Sequence, residues 1–158
     1  MRHIAHTNEG FTLIEILVAA TIIAILSVIG VVSYTRINMR SRDAKRISDL
    51  EQVRSALEMY RTDKGFYPGS STEFNPLSTD LAVLVSSDPA YMPAIPTDPK
   101  STSTTTIPYY YSPLVPMGTP TRYYGYCICA KLENNSGSGT CTGVTLPSDG
   151  CNYGLKNP

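Results

Sequence analysis

Glu15 is a carboxylate in an expensive place. It lies in the run Phe11–Val32, whose other non-apolar residues are Thr12, Thr21, Ser27 and Gly30. The run is 22 residues long, enough for a helix to cross a bilayer core. Glu15 stands four residues into it, roughly 6 Å along a helix. A carboxylate at the bilayer centre costs about 2.5–3.5 kcal/mol on insertion scales, and less near the edge. The bland reading keeps Glu15 shallow, protonated or snorkelling. The functional reading pairs it with a cation, where scarce water lets an ion pair set register between chains. Ionisable groups inside a span are functional by default, which favours the second reading.

The other reactive side chains are four cysteines, Cys127, Cys129, Cys141 and Cys151. An even number in one short segment fits disulfides and an oxidising compartment. Zinc sites use C-x2-4-C pairs. Here the first pair is C-x-C and the histidines, His3 and His6, lie far away at the N-terminus. Two apart on an expected strand, Cys127 and Cys129 face one side. Their separation is near the upper limit for bridging each other. Each is therefore expected to pair with Cys141 or Cys151, in an order the sequence leaves open.

Other chemistries find no support. There is no Ser/His/Asp set, no glycine-rich phosphate loop and no H-E-x-x-H. Glu73, Asp80, Asp88 and Asp98 are scattered and read as solvated surface or turn residues. No metal site and no cofactor is expected. Lys+Arg and Asp+Glu both number 13, so the net charge is zero and gives no electrostatic footprint for nucleic acid.

The elements that position these residues follow from the pattern. Residues 1–10 are a short polar leader ending in Gly10, before the apolar run rather than after it. An ordinary secretory signal places its small-residue cut after the apolar core. Residues 33–64 are charged and contain neither Pro nor Gly. Within them Ile47, Leu50, Val53, Leu57 and Tyr60 recur at steps of three and four, one apolar stripe on a helix. Asp43, Lys45, Arg46, Asp49, Glu51, Arg54, Glu58 and Arg61 are expected on its other faces. Gly65 and Pro68 then form a stop. One helix from about Phe11 to Lys64 is predicted, its first half suited to lipid and its second to a protein head. Beyond Gly65 lie nine of the 11 tyrosines. Residues 69–80 and 101–106 read as loops, Leu81–Val85 as a short helix or strand, and residues 133–143 as a turn-rich connection. Tyr109–Ser112 and Tyr123–Leu132 read as strands, with a last short strand or tied-down tail near Tyr153. A head this small needs the helix to complete its core.

The residues G-F-T-L-I-E at Gly10–Glu15, followed by the uncharged run, resemble the class III signal of type IV pilins and type II secretion pseudopilins. Two later stretches are similar to major pseudopilins. One is Ala56–Tyr60 with Asp63–Pro68, where the helix ends. The other is Pro96-Thr97-Asp98-Pro99, a "P-x-D-P" segment before the sheet. The resemblance covers residues 10–100 and fades beyond them. It implies an α+β, pilin-like lollipop: one long N-terminal helix packed on a small antiparallel β-sheet head. Its divisions would be a leader (1–10), a transmembrane half-helix (11–32), an amphipathic half-helix (33–64) and a disulfide-bearing head (65–158).

The resemblance also implies processing. A membrane peptidase cuts between Gly10 and Phe11, Phe11 is N-methylated, and Glu15 is neutralised by the new amine on a neighbouring subunit. The chain departs from the family in three ways. It has no proline near the twentieth mature residue, where Ser27–Val32 stand. Asp149 is nearly the only acid in the C-terminal region, so no calcium is expected there. Paired cysteines are a pilin habit more than a major-pseudopilin one.

The implied function is a structural subunit of a type IV pilus-like or pseudopilus filament, and not an enzyme. Its implied partners are copies of itself, related minor pilins or pseudopilins, the prepilin peptidase and an inner-membrane assembly platform. The alternative is a single-span anchored binding module that does not polymerise. The implied location is the cytoplasmic (inner) membrane, single-pass, with the head outside the cytoplasm. The basic flank beyond the span (Arg36, Arg40, Arg42, Lys45, Arg46) opposes that orientation under the positive-inside rule. The cysteines support it.

Overall fold

A computed structural model of the chain describes residues 10–102, 109–118, 121–134, 141 and 151–157. The expectations for residues 1–9, for the Ser/Thr stretch beyond Thr102, for most of the 133–143 connection and for Asp149 lie outside these residues. The chain divides into two units, Met1–Asn38 and Met39–Pro158. The helix α1, Leu13–Lys64, runs through both.

In the first unit α1 carries an apolar surface on all sides. Ile14, Leu17, Ile22, Ile25, Val28 and Val31 are all more than half exposed. Its hydroxyls are turned back onto the helix. Thr21 donates to the Val18 carbonyl at 2.8 Å and Ser27 to the Ile23 carbonyl at 2.7 Å. Such bonds satisfy polar side chains where no water is at hand. This is the one helix among the described residues long and apolar enough to cross a membrane.

The second unit is the head. It contains the rest of α1, then β1 (Asn75–Pro76), α2 (Leu77–Asp80), α3 (Ala82–Ser86), β2 (Tyr110–Met117), β3 (Arg122–Ala130) and β4 (Tyr153–Lys156). The four strands form one antiparallel sheet in the order β1-β2-β3-β4. The architecture is α+β, as expected. Leu50, Val53, Ala56, Leu57 and Tyr60 of α1 are buried against the tyrosine-rich strands. Ile47, at the start of the expected stripe, is only half-buried. The helix ends where the stop predicted it. Gly65 takes φ +83° and its N–H donates to the Arg61 carbonyl at 2.7 Å, the left-handed cap that glycine tolerates best.

Several expectations need correction. Helix α1 starts at Leu13, not Phe11, because Thr12 caps it. The 69–80 loop holds β1 and α2. Of the two readings open for 81–85 the structure takes the helical one, over Ala82–Ser86. Strand β2 runs on to Met117 through Pro113 and Pro116. Proline is tolerated where a strand edge is left unpaired, and β1 pairs only with Tyr110 and Tyr111. Gly69 permits a close approach, since a Cβ there would lie 2.5 Å from a ring carbon of Pro113.

The largest corrections concern charge. Asp43, Arg46 and Asp49 were expected on open faces of the helix, and Asp98 on a solvated loop. All four are buried, with Arg46 only 1 % exposed. Burial on this scale is tolerated only when charges are paired and hydrogen-bonded. The Arg46 guanidinium donates to both Asp98 oxygens at 2.6 and 3.0 Å, to Asp43 at 2.7 Å and to Glu133 at 3.0 Å.

Candidate processing and polymerisation site

The residues around the proposed cut are presented openly. Gly10, Phe11 and Thr12 precede the helix without regular structure, and Phe11 is 85 % exposed. Among the described residues nothing approaches within 4 Å of where a Gly10 Cβ would be.

Glu15 has a partner that the sequence reading missed. Thr12 is the N-cap of α1 and Glu15 the third helical residue. The Thr12 hydroxyl accepts from the Glu15 N–H at 3.3 Å. In return Glu15 Oε2 accepts from the Thr12 N–H at 2.8 Å and from its hydroxyl at 2.7 Å. This is a reciprocal capping box, which satisfies donors that a helix start leaves orphaned. Its signal, Thr-x-x-Glu before an apolar run, was legible. Both backbone groups involved lie beyond the Gly10–Phe11 bond, so a cut there would leave the box intact. One carboxylate oxygen, Oε1, makes no bond among the described residues.

The head is held to its segment of α1 by two clusters. In the first, Glu133, just past β3, accepts from Nε and one terminal nitrogen of Arg42 at 2.6 and 2.8 Å and from Lys100 at 2.6 Å, in addition to Arg46. The Arg42 guanidinium, with Lys100 and Arg46, holds the Glu133 carboxyl far below the usual carboxylate range, although burial opposes it. Asp43 accepts the backbone N–H groups of Glu133 and Asn134 at 2.9 Å each. Three cations (Arg42, Arg46, Lys100) and three anions (Asp43, Asp98, Glu133) therefore tie the helix to the P-T-D-P loop and to the exit of β3.

In the second cluster Glu58 accepts from the hydroxyls of Tyr67 at 3.0 Å and Tyr126 at 3.1 Å. The two rings meet edge to face at 4.7 Å, the arrangement aromatic quadrupoles favour. Burial, followed by the charge of Glu58, pushes the Tyr126 phenol well above its ordinary value.

The cysteines are joined as Cys127–Cys141 and Cys129–Cys151, with Cα separations of 5.9 and 5.7 Å. All four are buried. Cys129 lies opposite Gly154 in the β3–β4 ladder, and Cys151 stands just before β4. The bridges thus secure the short final strand to the centre of the sheet.

Comparison with known proteins bears on the N-terminal part first. Residues 6–31 match the family model described as the prokaryotic N-terminal methylation motif. The chain carries a prokaryotic N-terminal methylation motif. Two curated relatives extend the likeness beyond the motif. It is 31 % identical over 78 residues to the type II secretion system core protein G of Pectobacterium carotovorum subsp. carotovorum, covering 49 % of this chain and 50 % of the relative. It is 32 % identical over 77 residues to the protein of the same name from Klebsiella michiganensis, covering 49 % and 54 %. The chain thus spans about half the length of the curated relatives it matches. No solved structure matches it significantly.

Proposed function

We propose that this chain is a structural subunit of a type II secretion pseudopilus or a related type IV pilus-like filament. The observation that carries the reading is a coincidence of positions. The methylation motif, residues 6–31, ends within the apolar, fully solvent-facing half of α1. A soluble monomer has no use for such a surface. A chain that crosses a bilayer and later packs its helices against those of its neighbours uses all of it. The name of the two relatives favours the pseudopilus over the pilus.

In this reading a prepilin peptidase cuts between Gly10 and Phe11 and Phe11 is methylated. The freed amine of one subunit neutralises Glu15 of another. Within a chain Glu15 Oε2 is engaged by Thr12 while Oε1 takes no bond among the described residues, so one carboxylate can cap its own helix and meet a second donor. Ala19, Ala20, Ala24, Ser27 and Gly30 permit close helix approach in the polymer. The disulfides suit a head outside the cytoplasm. No catalytic role is proposed.

Mass spectrometry of membrane-extracted protein tests the processing. Loss of residues 1–10 and a methyl group on Phe11 are expected, and an intact Met1 terminus overturns the reading. Glu15→Ala is expected to insert normally but to block filament assembly. Unimpaired assembly of that variant removes the proposed role of Glu15, and function without any assembly favours the anchored binding module instead.

A further inference from the structure

The bridges of the head pass over their nearer partners. They join the first cysteine to the third and the second to the fourth, Cys127–Cys141 and Cys129–Cys151, at separations of 14 and 22 residues. Exchanged partners would lie 24 and 12 residues apart, and chain neighbours, Cys127–Cys129 and Cys141–Cys151, only 2 and 10. The entropy lost in closing a loop grows with the logarithm of its length. On that scale the native and the exchanged pairings differ by only about 10 % in probability. Pairing of neighbours is favoured roughly 60-fold over the native, less what the stiffness of the C-x-C link takes back. An unfolded chain therefore does not select the native bridges.

The folded head selects them and then seals them. All four cysteines are buried, Cys127 and Cys129 completely. Thiol–disulfide exchange needs a sulfur that a thiolate can reach. Strand β4 has four residues and is joined to the sheet by β3 alone among the described strands. A strand this short, held on one side, is marginal by itself. At Gly154 it touches both bridges: a Cβ there would lie 3.1 Å from Cys141 Sγ and 3.5 Å from Cys129 Cβ. Docking of β4 thus depends on where those two cysteines sit, and it closes access to them.

We propose that this chain is a substrate of a thiol–disulfide isomerase, which reshuffles the four cysteines before β4 docks, and that the fit of β4 over the bridges selects the native pairing. A disulfide oxidant first removes two electrons and two protons for each bridge and is itself reduced to a dithiol. From the neighbour pairing, the isomerase thiolate attacks Cys129, breaks its bond to Cys127 and forms a mixed disulfide. The freed Cys127 thiolate attacks Cys141 and releases Cys151. The Cys151 thiolate then attacks Cys129 and releases the isomerase. Two bridges stand before and after, and no net electrons move. The step is required whether or not the chain polymerises.

The test oxidises the reduced full chain with glutathione disulfide in strong denaturant. The product is returned to non-ionic detergent without denaturant, in a glutathione buffer with or without protein disulfide isomerase. Bridges are located by partial reduction, alkylation with two distinguishable reagents and mass-spectrometric fragmentation between Cys127 and Cys129. In denaturant the neighbour pairing should predominate, with the native and exchanged pairings equal within about twofold. After return the native pairing should accumulate roughly ten times faster or more with the isomerase. Native bridges that already dominate in denaturant overturn the proposal. So does a reduced chain that, oxidised without denaturant, closes the native bridges directly at a rate the isomerase does not change. Gly154→Ala should leave the products in denaturant unchanged but shift the final ratio of native to exchanged bridges several-fold toward the exchanged. An unchanged final ratio overturns selection by β4.

Discussion

Asp98→Asn tests whether the buried charge cluster holds the head together. The substitution keeps the shape of the side chain and removes one charge. Asp98 is 4 % exposed and takes two bonds from Arg46, at 2.6 and 3.0 Å. Hydrogen bonds to charged groups contribute about 1.5–3 kcal/mol each. Removing one partner of a buried pair costs about 3–5 kcal/mol when nothing else compensates. Here Asp43 and Glu133 still face Arg46, and an asparagine oxygen can still accept one bond. The expected loss is therefore about 3 kcal/mol, toward the lower end of that range. For a unit of 120 residues (Met39–Pro158) this corresponds to roughly 10–15 °C in the unfolding midpoint. The assay is thermal unfolding of the full chain in non-ionic detergent, followed by the near-ultraviolet dichroism of the head tyrosines. A double-mutant cycle with Arg46→Met should show strong coupling, because the second change removes the charge that the first one stranded. A midpoint within 2 °C of wild type, or additive effects in the cycle, refutes the assignment of Arg46 and Asp98 as a working pair.

Other outcomes follow from the same contacts. Glu133 has its folded pKa lowered by Arg42 and its companions. Its contribution is therefore fully present above the unfolded glutamate value, near 4.3, and is lost as the pH falls below it toward the folded pKa. Acid unfolding should begin below about pH 4, and Glu133→Gln should flatten that limb of the stability profile. Reduction of the bridges, which span 14 and 22 residues, should cost about 3 kcal/mol for each. Amides of β4 should then lose hydrogen-exchange protection before those of β2. Thr12→Val keeps the volume but removes the cap, at about 1 kcal/mol. Amide exchange in micelles should quicken at Leu13–Glu15 and remain unchanged at Leu50–Leu57. Tyr109 and Tyr126 have their phenols pushed up, first by burial and then by the carboxylates of Asp49 and Glu58 respectively. Difference absorbance on alkaline titration should show both staying protonated until the head unfolds.

Sequence legibility differed sharply between the apolar and the charged residues. The stripe Leu50, Val53, Leu57 and Tyr60 could be read because burial of apolar groups follows from spacing alone, and the Gly65 stop from the φ it demands. Arg46 and Asp98 could not. A charged residue reads as surface unless its partners are known, and these partners are 52 residues apart. Glu133 is 87 residues from Arg46. The tyrosine pattern marks a strand only as far as Ser112, and its continuation through Pro113 and Pro116 needs an unpaired edge. Val115 between them takes φ +56°, a conformation nothing in a valine announces. The pairing of the cysteines depended on where residues 141 and 151 fall against β3. At Glu15 the sequence said that a carboxylate was out of place and suggested a partner on another chain. The local answer, Thr12, was three residues away and is compatible with that partner.

The way Asp43 grips the chain leaving β3 has a mechanical consequence. If α1 builds a polymer as proposed, tension enters each head along the helix. Asp43 and Arg46 pass it to the backbone at Glu133 and Asn134 and to the P-T-D-P loop, while the ladder and its covalent staples lie further along the same load path. The ionic links lie nearest the point where that load enters, ahead of the apolar stripe Leu50–Tyr60. Under load, the head should first yield where helix and loop meet, with its strands still joined, and it can re-form there once the force is released.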